Sequence, residues 1–164
     1  MCDSGFIDSA TPSHGLVLSF FELGPSARWR LRPDIRRAHL GCMQPLRVLL
    51  VEDDALIGVL LAELLRGMGH EVCDTAATEA AAVTAAERCA PDLMIVDARL
   101  GRGSGIAAVD KILRGRPVAH FFLSGDAEGV RMLRPGAVVV RKPFRIADLA
   151  RAIDSALVTT PPPA

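Results

Sequence analysis

The sequence predicts a three-layer α/β sandwich built on a parallel sheet, and three observations carry that expectation. Arg47–Val51, Asp92–Val96, Val118–Leu123 and Ala137–Arg141 are short apolar runs of the kind that form strands buried on both faces. Helical stretches separate them, and with a short strand at His70–Asp74 the chain alternates strand and helix five times, which right-handed crossovers turn into a three-layer sandwich. Finally, polar residues sit at the ends of the runs: Glu52 and Asp53, then Asp97, Ser124 and Lys142. In a parallel sheet all carboxyl ends point one way, and ligands bind in the crevice outside them. Three carboxylates, one hydroxyl and one ammonium therefore converge on one surface, a setting for a divalent cation and a phosphoryl group.

The elements follow in order. Leu46–Val51 is the first strand, and Ala55–Gly69 a helix with Leu56, Leu60, Leu64 and Met68 on one face, stopped by Gly69. Asp54 is placed to cap it. After His70–Asp74, Thr78 caps an alanine-rich helix over Ala80–Cys89. Leu93–Val96 leads into a loop with glycines at 101, 103 and 105 and a helix to Leu113. Val118–Leu123 is joined by a short link to Val138–Val140. Pro143 breaks the chain, and Ile146–Leu157 is the last helix, with Leu149, Ile153 and Leu157 inward. His120 lies in an apolar strand and reads as a satisfied core residue.

A chain of 164 residues predicts one domain with some length to spare. Residues 1–45 hold an arginine-rich piece (Arg28, Arg30, Arg32, Arg36, Arg37) but no sustained periodicity. They read as a disordered extension, or as lying upstream of a start at Met43; residues 159–164 read as a tail. Nineteen basic residues balance nineteen acidic ones, so no global field draws the chain to nucleic acid or anionic lipid. No apolar stretch reaches the roughly 18 residues of a membrane span. The cysteines at 2, 42, 73 and 89 have no metal-ligand spacing, and small buried thiols in a reducing cytoplasm suit them.

Val51-Glu-Asp-Asp54, Ile95-Val-Asp97, Leu123-Ser-Gly125 and Arg141-Lys-Pro-Phe144 together resemble the receiver domain of bacterial two-component response regulators, over about residues 46–158. The resemblance implies a flavodoxin-like (βα)5 fold of sheet order 2-1-3-4-5, with the site at the switch point between strands 1 and 3. It implies a protein that signals rather than a turnover enzyme, cytoplasmic, taking a phosphoryl group from a sensor histidine kinase or histidine phosphotransfer protein and acting on a downstream protein.

The chemistry is arguable from the residues as well. A carboxylate that accepts a phosphoryl group needs its charge offset, which Mg²⁺ does when held by one or two carboxylates and waters. Glu52 and Asp53 suit that role. Asp97 is placed to be both ligand and nucleophile, forming an aspartyl phosphate. Lys142 pairs with Asp97 beforehand and with a phosphoryl oxygen afterwards, and Ser124 donates its hydroxyl to another. The resemblance adds the backbone carbonyl of Arg99 as a metal ligand.

The family pattern is departed from in four places. Val139 stands where an aromatic switch residue is common. Ser124 and Lys142 are 18 positions apart, about one helical turn closer than usual, which predicts a short fourth helix. Gly101 replaces a usual proline, so the glycine loop reads as mobile, and no effector domain is expected after the fifth helix. The Phe-Phe-Leu-Ser-Gly strand end resembles a subgroup of single-domain alphaproteobacterial receivers with a Phe-Ala-Thr-Gly motif, Leu123-Ser124 replacing Ala-Thr. Arg99 and Asp126, each two residues beyond a site residue, are expected to pair across the mouth and slow hydrolysis of the acyl phosphate. Val139 with Ile146 and Leu149 marks the expected partner surface.

Three other readings are weighed. A haloacid-dehalogenase-type phosphatase needs a second Asp two residues after the nucleophile, where Arg99 stands. A flavodoxin-like FMN protein needs an uncharged phosphate loop, where Glu52-Asp-Asp54 would repel the phosphate. A degenerate receiver acting only as a binding module would not need all five site residues.

Overall fold

In the computed structural model the described residues are 45–101 and 103–160. The expectations for residues 1–44 and 161–164 lie outside them. The sheet strands are β1 (Arg47–Val51), β2 (Glu71–Ala76), β3 (Leu93–Asp97), β6 (Ala119–Ser124) and β7 (Val139–Arg141), all parallel, in the order β2-β1-β3-β6-β7. That is the expected 2-1-3-4-5 order. The numbering differs because a small antiparallel hairpin, β4 (Arg99–Leu100) and β5 (Gly103–Ser104), intervenes. The helices are α1 (Ala55–Gly67), α2 (Glu79–Cys89), α3 (Gly105–Gly115), α4 (Ala127–Leu133) and α5 (Ile146–Thr159).

Alternation along the strands divides the core in two. Leu49, Val51, Met94, Val96 and Phe122 face α2 and α3, meeting Ala82, Ala86, Ala108 and Val109. Val48, Leu50, Ile95, Phe121 and Leu123 face α1 and α5, meeting Leu61, Leu65, Leu149 and Ile153. With helices on both faces, the central strands β1, β3 and β6 are apolar through most of their length, which is why their runs are continuous rather than alternating, while the edge strand β2 carries Glu71, Asp74 and Thr75. The alanines of α2 let that helix lie close to the sheet.

The caps form largely as the sequence predicts. The Asp54 carboxylate accepts from the amides of Leu56 and Ile57, the Thr78 hydroxyl accepts from the amide of Ala81, and Gly69 follows α1 with a positive φ of 93°. The short fourth helix is present, at seven residues. His120 bonds through its ring to the Val118 carbonyl at 3.0 Å and meets Phe122 edge-on, half-buried rather than in the core.

Four expectations change. The buried stripe of α1 is Gly58, Leu61, Ala62 and Leu65, while Leu56 is 83% exposed and Leu60 also faces out. The helix is apolar nearly all round, so period alone does not choose a stripe. Gly58 does, because a Cβ there would already touch the Thr75 methyl at 3.4 Å, and the helix seats that side against β2. Second, the glycine loop is a hairpin anchored by Leu100, which is buried. Third, α5 runs on through Thr159, two residues past the expected Leu157. Fourth, Leu149 has no exposed surface and belongs to the core, so it cannot serve a partner surface.

Candidate functional site at the carboxyl edge of the sheet

Register brings the polar strand ends together. Val51 pairs with Val96, Asp97 with Leu123, and Leu123 with Val140, so residues 52 and 97 stand side by side at the carboxyl edge, with Ser124 and Lys142 just beyond the positions level with them. Backbone bonds hold this edge: the Glu52 amide donates to the Ala76 carbonyl at 3.0 Å, the Ala98 amide to Leu123 at 3.0 Å, and the Lys142 amide to Ser124 at 2.8 Å.

Lys142 is the hub. Its Nζ lies 2.6 Å from Asp97 Oδ2 and 2.9 Å from Glu52 Oε2. Burial alone would lower the Lys142 pKa, but the hydrogen bonds to Asp97 and Glu52 outweigh it and hold the ammonium above its ordinary value. Glu52 is buried, and its carboxyl is pushed up from the usual carboxylate range by burial, more than the Lys142 bond pulls it down. Both its oxygens are engaged, since Oε1 accepts from the Asp54 amide at 3.3 Å.

Asp97 is half-buried and also doubly held: Oδ1 accepts from the Arg99 amide at 3.0 Å while Oδ2 faces Lys142. Asp53 is exposed beside it. Carboxylate oxygens of Glu52, Asp53 and Asp97 lie within 4.8 Å of one another, so this cluster could hold a metal ion. Three carboxylates against one ammonium leave a net negative site, suited to a divalent cation.

Gly105 sets the depth of the site. A Cβ there would lie 1.9 Å from the Asp97 carbonyl oxygen and 2.7 Å from Val96, so only glycine lets α3 begin directly behind the strand end. Its amide donates to the Ala98 carbonyl at 3.1 Å.

Ser124 ends β6 and is buried; its hydroxyl accepts from the Asp126 amide at 3.0 Å. The expected Arg99–Asp126 pair is not made. Asp126 instead caps α4, its Oδ1 accepting from the Gly129 amide at 3.0 Å, and the Arg99 side chain forms no ion pair among the described residues. A backbone donor three residues ahead outcompetes a guanidinium on another loop. The Asp126-x-x-Gly129 spacing was the available signal. Val139 is half-buried and Ile146 is 44% exposed.

The response regulator receiver domain model matches residues 48–154. The transcriptional regulatory protein PdtaR of Mycobacterium tuberculosis is 38% identical over 117 residues, covering 69% of this chain and 57% of that protein. The phyllosphere-induced regulator PhyR of Methylorubrum extorquens is 36% identical over 116 residues, covering 67% of this chain and 43% of PhyR. This chain thus spans about half the length of these curated relatives. Among solved structures, the receiver domain of Erythrobacter litoralis PhyR superposes with a TM-score of 0.68 at 34% identity, over 76% of this chain and 98% of that domain. PhyR from Brucella abortus gives 0.63 at 28% identity, over 71% of this chain and 49% of that one.

Proposed function

The chain belongs to the response regulator receiver domain family, and from that premise we propose that it accepts a phosphoryl group on Asp97 and signals through the surface that this changes. The observation that carries the proposal is the Lys142 bridge to Asp97 and Glu52, beside the three-carboxylate cluster. An ammonium held against the acceptor carboxylate is in place to follow charge from Asp97 to a phosphoryl oxygen.

A carboxylate oxygen of Asp97 attacks phosphorus, the bond from phosphorus to the donor atom breaks, and the donor leaves with that electron pair. Bound Mg²⁺ would neutralise the incoming oxygens, with Asp53 and Asp97 as its carboxylate ligands and Arg99 offering its backbone carbonyl. Glu52 completes the acidic cluster and orients Lys142. Ser124 then donates its hydroxyl to a phosphoryl oxygen.

The donor is a sensor histidine kinase or a histidine phosphotransfer protein. It needs to seat beside Asp97, and α1 starts next to the site with Leu56, Val59 and Leu60 exposed on one side, an apolar seat for a partner helix. The downstream partner meets the α4–β7–α5 face, where Val139 and Ile146 remain candidates. The expected place of action is the cytoplasm.

Acetyl phosphate with Mg²⁺ is expected to give a single phosphoryl adduct by intact mass, and chelation by EDTA to abolish it. An adduct formed equally well in EDTA would overturn the metal's part in the proposal.

A further inference from the structure

The polar arrangement at the start of α4 links the acceptor site to a helix. Asp126 is bound at both ends: its amide donates to Ser124 Oγ at 3.0 Å, and its Oδ1 accepts from the Gly129 amide at 3.0 Å. The cap is tight. A Cβ at Gly129 would lie 2.4 Å from Asp126 Oδ2 and 3.0 Å from its Cγ, so a side chain there would expel the carboxylate. Further along, Arg131 Nη2 reaches the Val139 carbonyl at 3.5 Å, and Arg134 pairs with Asp110 of α3. Met132 and Leu133 stand exposed between them.

We infer that Asp126 and Gly129 are positioning residues that couple the Ser124 hydroxyl to α4. The inference rests on the proposed phosphoacceptor role for its trigger only. When the Ser124 hydroxyl moves toward a phosphoryl group on Asp97, the Asp126 amide either follows it or loses its partner. The first draws away the residue that caps α4, and the second frees it from the strand end that holds it in place. Seven residues are too few for a helix to persist on propensity alone, so the cap and the tertiary ties decide whether α4 holds. The coupling needs no ring at Val139, because it runs through backbone and cap. Its output is the exposed Met132–Leu133 end of α4, which loosens or shifts when the cap is drawn away.

Hydrogen exchange of the α4 amides tests this, with beryllofluoride and Mg²⁺ as the phosphoryl mimic and ¹⁹F NMR to score its binding. Without the mimic, Asp126→Ala is expected to speed α4 exchange about five-fold, the equivalent of the ~1 kcal/mol an N-cap contributes. Asp126→Asn should exchange like wild type, since asparagine caps as well. With the mimic bound, α4 exchange should rise in wild type and in Asp126→Asn and change little in Asp126→Ala. A merely structural cap would leave the response to the mimic equal in all three. Bound mimic with unchanged α4 exchange in wild type, or an undiminished response in Asp126→Ala, would overturn the coupling alone. A wild type that binds no mimic would overturn the phosphoacceptor role and the coupling with it.

Discussion

Gly105→Ala is expected to lower the stability of the fold by about 3 kcal/mol, beyond what an ordinary surface substitution does. The new Cβ would sit 1.9 Å from the Asp97 carbonyl oxygen and 2.9 Å from its carbonyl carbon. Those are backbone atoms of a central strand, which cannot rotate away as a side chain can. Either α3 lifts from the sheet, opening the packing around Ala108 and Val109, or the end of β3 moves and takes the Asp97 carboxylate from Lys142. The same change at Gly115, the other end of the same helix, meets nothing within 4 Å. There alanine should be neutral or stabilise by a few tenths to about 1 kcal/mol, through its better helix propensity. Urea midpoints of the two variants give the comparison. A wild-type midpoint for Gly105→Ala would mean that α3 does not begin against the strand.

Lys142→Met is expected to cost about 2 kcal/mol at neutral pH in EDTA, and to cost less as the pH falls. Removing one partner of a fully buried ion pair costs roughly 3–5 kcal/mol, discounted here because the lysine side chain is 23% exposed. What remains is Glu52 and Asp97 facing each other with no cation between them. Glu52 is already raised above its ordinary 4.5 by burial, and Lys142 supplies the opposing pull. A carboxyl with a raised folded pKa binds its proton more tightly folded than unfolded, so folding gains as pH falls from neutral toward 4.5. The variant, lacking the opposing pull, should gain more than wild type over that window. In the wild type the stabilisation from Lys142 itself, whose pKa is raised, is full below 10.5 and lost above it. Denaturant melts of both proteins at pH 7 and pH 5 check this; a deficit that grows on acidification would contradict the account of the pair.

Much of this was legible because it depends on strand ends. Once Arg47–Val51, Leu93–Asp97 and Ala119–Ser124 are buried parallel strands, residues 52 and 97 stand side by side with Ser124 one position beyond their level, and Lys142 joins them one strand further out. The Asp54 and Thr78 caps were legible because capping is decided within three residues. Choices between competing partners were not. Asp126 had a distant guanidinium and a local amide to choose from, and took the amide. On α1 two apolar stripes competed, and a contact between Gly58 and Thr75, 17 positions apart in sequence, decided which went inward. Leu149 fitted both an inward stripe and an outward face; only packing against the sheet settles that it is core. The glycines at 101, 103 and 105 gave no sign of the small hairpin that β4 and β5 make there, with Leu100 buried.

The central claim, that Asp97 is the acceptor, is tested most directly by locating the acyl phosphate. Borohydride reduces an aspartyl phosphate to homoserine, which peptide mass spectrometry places in the sequence. After acetyl phosphate and Mg²⁺, wild type should carry homoserine at position 97 and Asp97→Asn should carry none. Homoserine at Asp53 or elsewhere, or an unchanged label in Asp97→Asn, would contradict the assignment of the acceptor.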